Sequence, residues 1–128
     1  MTNQQELMLK LSVYEQQIRQ IQEQIQAINE AVVETSRINE DLNDLKGSEG
    51  NEVMAAIGKG IFIKAKIISE DLIVDVGGKN FVKKSVGETQ KTISRQIQKL
   101  GEIKEELEAK LDEIGEELTK TISEARED

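Results

Sequence analysis

Residues 51–85, NEVMAAIGKGIFIKAKIISEDLIVDVGGKNFVKKS, decide the fold. Here apolar residues alternate, β-branched residues cluster and paired glycines occur. Val53, Ala55 and Ile57 alternate with Met54 and Ala56, which predicts a strand ending at Gly58-Lys59-Gly60. Ile61, Ile63, Ala65 and Ile67 then face one way while Phe62, Lys64, Lys66 and Ile68 face the other, the period of two that a pleated strand imposes. Ser69-Glu70-Asp71 turns the chain into Leu72–Val76. Gly77-Gly78 fits a two-residue hairpin turn that needs positive φ, and Lys79–Lys84 is the return strand. The middle therefore reads as two consecutive short hairpins.

On either side lies helical periodicity with almost no turn signals. Thr2-Asn3-Gln4-Gln5 matches a capping box, in which hydroxyl and amide satisfy orphan backbone groups reciprocally. From there Leu7, Leu11, Tyr14, Ile18, Ile21, Ile25, Ile28 and Val32 recur at alternating spacings of four and three, a heptad seam. Thr35 continues that register, whereas Ile38, Leu42 and Leu45 define another displaced by three, so a stammer is expected. Lys46-Gly47 should close the helix. Ser85-Val86-Gly87-Glu88 is a second capping box. Its helix has an unbroken seam through Val86, Gln90, Ile93, Ile97, Leu100, Lys104, Leu107, Leu111, Ile114, Leu118 and Thr121. Gly87, Gly101 and Gly115 lie beside that seam, and either admit a neighbouring backbone or confer flexibility. Residues 123–128 are expected to fray.

At about 1.5 Å per residue, each helix is roughly 60 Å long. Matched lengths around a compact hub favour an antiparallel pair with the seams facing, so that the termini meet at the far tip. The expected fold is α+β: a long antiparallel two-helix coiled coil joined by two short β-hairpins, which pack into an oligomeric β-barrel. The expected divisions of this single domain are helix 1–47, hub 51–84 and helix 85–128. Two small hairpins cannot stand alone, and apolar side chains on both faces plus unpaired edges call for burial against other subunits.

Composition agrees and excludes much. Aromatic residues are 2% of the 128, against 33% charged, which fits helices burying narrow seams better than a compact globule. With neither Cys nor His, thiolate chemistry, disulfides and the commonest general base and metal ligand are missing. No Walker A or dinucleotide fingerprint occurs, and Gly58-Lys59-Gly60 reads as a turn because no helix start follows it. The acidic run Glu102, Glu105, Glu106, Glu108, Asp112 and Glu113 reads as a solvated helix face. Neither catalytic, cofactor-binding nor metal residues are expected, and the chain reads as a non-enzyme. Residues 1–50 carry 4 basic and 9 acidic side chains, residues 51–84 carry 6 and 4, and residues 85–128 carry 7 and 12. Acidic helices repel phosphate, so nucleic acid is not an expected partner, nor is an RNA-binding arm. No apolar run spans a bilayer and no targeting segment is evident, so no membrane partner and a cytoplasmic location are expected.

Two heptad helices, a hub of two hairpins containing GKGIFIKAKI and VDVGGKNFV, and a capped second helix together resemble the α class of prefoldin. The likeness covers nearly the whole chain and rests on the order and lengths of elements. Two hairpins match the α class, where the β class has one. The absence of Pro is a departure that touches nothing essential, and a short, cysteine-free chain points to an archaeal source. The resemblance implies an ATP-independent chaperone of two α and four β subunits, whose hairpins form a double barrel bearing six arms. It implies as partners a second copy of this chain, prefoldin β-type subunits, unfolded client proteins and a group II chaperonin. Antiparallel pairing would bring Leu7, Met8 and Leu11 beside Ile114, Leu118 and Ile122 at the arm tip, where clients are expected to bind. For subunit assembly the expected residues are Ile61, Ile63, Ile67, Leu72, Val74 and Val76. The alternative is a structural protein that self-assembles, into filaments or as a tether.

Overall fold

A computed structural model describes residues 2–127. Its elements run α1 (Asn3–Asn43), β1 (Glu52–Gly58), β2 (Ile61–Lys66), β3 (Leu72–Asp75), β4 (Phe81–Lys84) and α2 (Val86–Glu127). The chain forms two compact units, one from residues up to Val33 and from Gln98 onward, the other from Glu34–Ile97.

In the first unit, parts of α1 and α2 run antiparallel. Tyr14, Gln17, Ile21 and Gln24 share a cleft with Lys110, Glu113, Ile114 and Glu117, and Leu7 and Lys10 share one with Thr121 and Glu124. Low residue numbers thus meet high ones. Matching the two heptads in this direction sets Leu11 against Thr121, Tyr14 against Leu118, Ile18 against Ile114, Ile21 against Leu111, and Ile28 against Lys104. Ile21 and Ile114 are buried, and the other seam residues are half-buried. Lys104 keeps its place in the seam by sending its amine outward, where Nζ lies 3.8 Å from Glu108 Oε1.

The glycines beside the seam are not sites of close approach. A Cβ added at Gly87, Gly101 or Gly115 would meet nothing within 4 Å. α2 is helical to Glu127. Glu124, Ala125 and Arg126 are good helix formers, and Arg126 suits the negative helix end. Asp128 lies outside the described residues.

The second unit holds the helix ends and the hub. Val86 and Ile93 are buried, and Thr35, Asn39 and Leu42 continue the α1 seam without a slip. The expected stammer does not occur: Asn39 is half-buried and Ile38 is exposed. Gln90 of α2 bonds to this part of α1. Its Nε2 donates to the Asn39 carbonyl at 3.2 Å and to Asn43 Oδ1 at 2.7 Å, and these bonds oppose any rotation of the last turns. Beyond Asn43 the chain tightens through i→i+3 bonds from the Asp44, Leu45 and Lys46 amides, reaching Gly47 at φ +76°.

Each hairpin is its own two-stranded antiparallel sheet. In the first, Val53 pairs with Ala65 and Ala55 with Ile63 on one face, Met54 with Lys64 and Ala56 with Phe62 on the other. A bulge at Ile57 precedes the turn, where Lys59 and Gly60 both have positive φ as a type I′ turn requires. In the second, Leu72 pairs with Lys84 and Val74 with Val82, while Ile73 pairs with Lys83 and Asp75 with Phe81. Its turn is displaced one residue from the expected Gly77-Gly78. The Asn80 amide donates to the Gly77 carbonyl at 3.0 Å, which leaves Gly78 and Lys79 as the central, positive-φ pair. Asp75 Oδ1 sets this position by accepting from the Gly77 amide at 2.8 Å.

The expected capping box forms in full at Thr2, and at Ser85 only its forward bond is present. The Thr2 amide donates to Gln5 Oε1 at 3.0 Å while the Gln5 amide donates to Thr2 Oγ1 at 3.1 Å, a reciprocal box. At α2 the Glu88 amide donates to Ser85 Oγ at 3.1 Å.

Candidate functional site

The described residues offer surfaces rather than a reactive pocket. No cluster of three His, Cys, Asp or Glu residues that could hold a metal occurs among them. No described helix is long and apolar enough to cross a membrane. What stands out is exposed apolar side chain, concentrated on the hairpins and on the first turns of α1.

On the hub, Ile61, Ile63 and Val76 are exposed, whereas Ile67, Leu72 and Val74 are half-buried. Strand pairing explains the split in the second hairpin. Leu72, Val74, Val82 and Lys84 share the face with more shelter; Ile73, Phe81, Asp75 and Lys83 share the open one. Ile73 is 67% exposed. On the first hairpin both faces are open: Ile61 and Ile63 on one, Met54 and Phe62 on the other. Ile68, in the linker between hairpins, is exposed as well. The hub thus shows water a set of large apolar side chains from both sheets, with four strands and no third partner for either pair.

At the start of α1 and end of α2, Met8 is 67% exposed and Ile122 is 37% exposed. Each lies one residue past a seam position, Leu7 and Thr121. Leu7, Leu11 and Leu118 are half-buried within the seam. Ile114 is 9% exposed and sits further in, sharing its cleft with Tyr14 and Ile21.

Comparison with known proteins accounts for this combination of elements. The sequence model of the family described as Prefoldin subunit matches residues 14–128. The chain belongs to the prefoldin family. A prefoldin subunit alpha of Methanobrevibacter smithii is 34% identical over 110 residues, covering 85% of this chain and 70% of that protein. Prefoldin subunit alpha 1 of Methanocaldococcus jannaschii is 26% identical over 111 residues, 87% of this chain and 77% of the relative. A filamentous PFD from the same organism, solved by cryo-electron microscopy, has the same fold. It superposes with a TM-score of 0.80 at 22% identity, over 90% of this chain and 97% of that one.

Several further apolar residues of this prefoldin fold are exposed. Ile73 and Phe81 were hidden in the sequence because alternation defines two faces without saying which one the chain itself covers. Leu9 and Val13, both exposed, sit one turn apart on α1 away from the seam. Their spacing of four, out of phase with Leu7 and Leu11, was a readable signal. The family supports a chaperone-type function and not an enzymatic one.

Proposed function

We propose that this chain is the α-type subunit of an ATP-independent chaperone, in which its hairpins join those of other subunits and its helix ends hold unfolded proteins. The observation that supports this reading is the open apolar surface of two separate two-stranded sheets, Ile61 and Ile63 on one and Ile73 and Phe81 on the other. Pairs of strands this small do not retain such a surface unless a further subunit covers it. Two α with four β-type subunits is the stoichiometry that the family implies, with delivery to a group II chaperonin in the cytoplasm. Met8, Ile122, Leu9 and Val13 supply the exposed client contacts, and thioether Met is suited to varied partners. Native mass spectrometry of the chain alone and with an archaeal β-type subunit tests assembly; a hexamer confined to the mixture is expected. Long homopolymers from the chain alone would support self-assembly into filaments instead. Chains shortened at both helix tips should still assemble yet fail to suppress aggregation of a denatured client, and full suppression by them would refute the tip reading.

A further inference from the structure

Ile38 and Asn39 are neighbours on α1 with reversed surroundings. Asn39 is half-buried, with its Oδ1 buried and without a hydrogen-bond partner, while Ile38 is left 48% exposed; on α2, Ile93 is buried. Apolar burial alone would choose otherwise. A seam through Ile38, Leu42 and Leu45 is wholly apolar and is reached by turning the end of α1 by about 60°, the offset of three residues from a full helical turn. The Asn39 side chain does not hold the polar seam in place, because its buried acceptor is unpaired and counts against that arrangement. The holding bonds come from Gln90, whose Nε2 reaches the Asn39 carbonyl and Asn43 Oδ1. Turning α1 to bury Ile38 carries both acceptors away and leaves a half-buried amide against Leu42. All of these residues lie in the Glu34–Ile97 unit.

We propose that Gln90 selects between two seams encoded by the end of α1, which makes it a specificity-determining residue for pairing of the two helices. With the amide present, Asn39 faces α2; without it, Ile38 does. The choice concerns pairing inside this chain and stands whether or not the chain holds unfolded proteins.

Methyl-labelled isoleucine in the full chain reads the choice directly, through the nuclear Overhauser cross-peak between the Ile38 and Ile93 δ1 methyls. Wild type and Asn39→Leu should lack it, since neither loses the Gln90 bonds. Gln90→Leu should gain it, as should Gln90→Ala, which adds no large apolar group. A cross-peak in wild type, or its absence from both Gln90 variants, overturns the proposal.

Discussion

The Glu70 carboxylate accepts a hydrogen bond from the Gly47 amide, so the linker between the two hairpins is tied to the turn that ends α1. Among the described residues, the side-chain bonds that join distant parts of the chain all end on Asn39–Gly47: two from Gln90 and this one from Glu70. Removing the acceptor with Glu70→Ala should cost about 1–2 kcal/mol, because a backbone donor loses its charged partner. Glu70→Gln keeps an acceptor and should cost about half as much. Thermal unfolding of the chain compares them, and equal midpoints for both variants and wild type would show the tie to be inert.

Gly101 and Gly115 lie in the interior of α2 with open space where a Cβ would be. Alanine at each should stabilise by about 0.5–1 kcal/mol, by reducing the freedom of the unfolded chain and exposing less helix backbone. Denaturant unfolding should show a higher midpoint at unchanged slope. A loss of stability would mean that another chain's backbone approaches these positions in the sample measured.

The two caps make different predictions from the same chemistry. Ser85 starts α2 directly after β4, next to buried Val86, so Ser85→Ala should lower global stability by about 1 kcal/mol. Thr2 caps the first turn of α1, whose neighbours are exposed, so Thr2→Ala should leave the global midpoint nearly unchanged. Faster amide hydrogen exchange confined to the first turns is the expected signature.

How far residues announce their own positions depends on the range of the forces that place them. The α2 seam from Val86 to Thr121 follows from local spacing, and every one of its positions is buried or half-buried. The caps at Thr2 and Ser85 are equally local. The α1 seam near Ile38 is not, because Gln90 decides it from 51 positions away. The second hairpin's turn moves one residue from Gly77-Gly78 because Asp75 and the Asp75–Phe81 pairing set its register. Hub faces are legible as alternation, but their exposure depends on what the rest of the chain covers. Alternation alone therefore does not say that Ile73 and Phe81 are exposed while Leu72 and Val74 are half-buried.

If the hub faces carry assembly, as proposed, exposure separates that role from folding. Ile73→Asp places a charge on an exposed side chain, so it should change the stability of the isolated chain by no more than about 0.5 kcal/mol. In a mixture with a β-type subunit it should nevertheless abolish the hexamer. Val74→Asp charges a half-buried position opposite Val82 and should weaken both folding and assembly. Circular dichroism of each variant alone, beside native mass spectrometry of each mixture, distinguishes them. A hexamer formed normally by Ile73→Asp would move the interface to the other face.

At the helix ends, burial divides residues that the sequence groups together. Ile114 is buried against the Tyr14 and Ile21 side of the cleft, so Ile114→Ala should destabilise by about 2–4 kcal/mol through lost burial and an unfilled space. Any fall in its chaperone activity should then follow the fall in folded fraction. Met8 and Ile122 are exposed, and Met8→Ser with Ile122→Ser should shift stability by less than about 1 kcal/mol. If these side chains contact clients, light scattering of a denatured protein diluted into the assembled complex should rise well above the wild-type trace while the unfolding midpoint holds. Unchanged scattering with the double variant would move client contact elsewhere, and Leu9→Ser with Val13→Ser then tests the other exposed pair on α1 in the same assay.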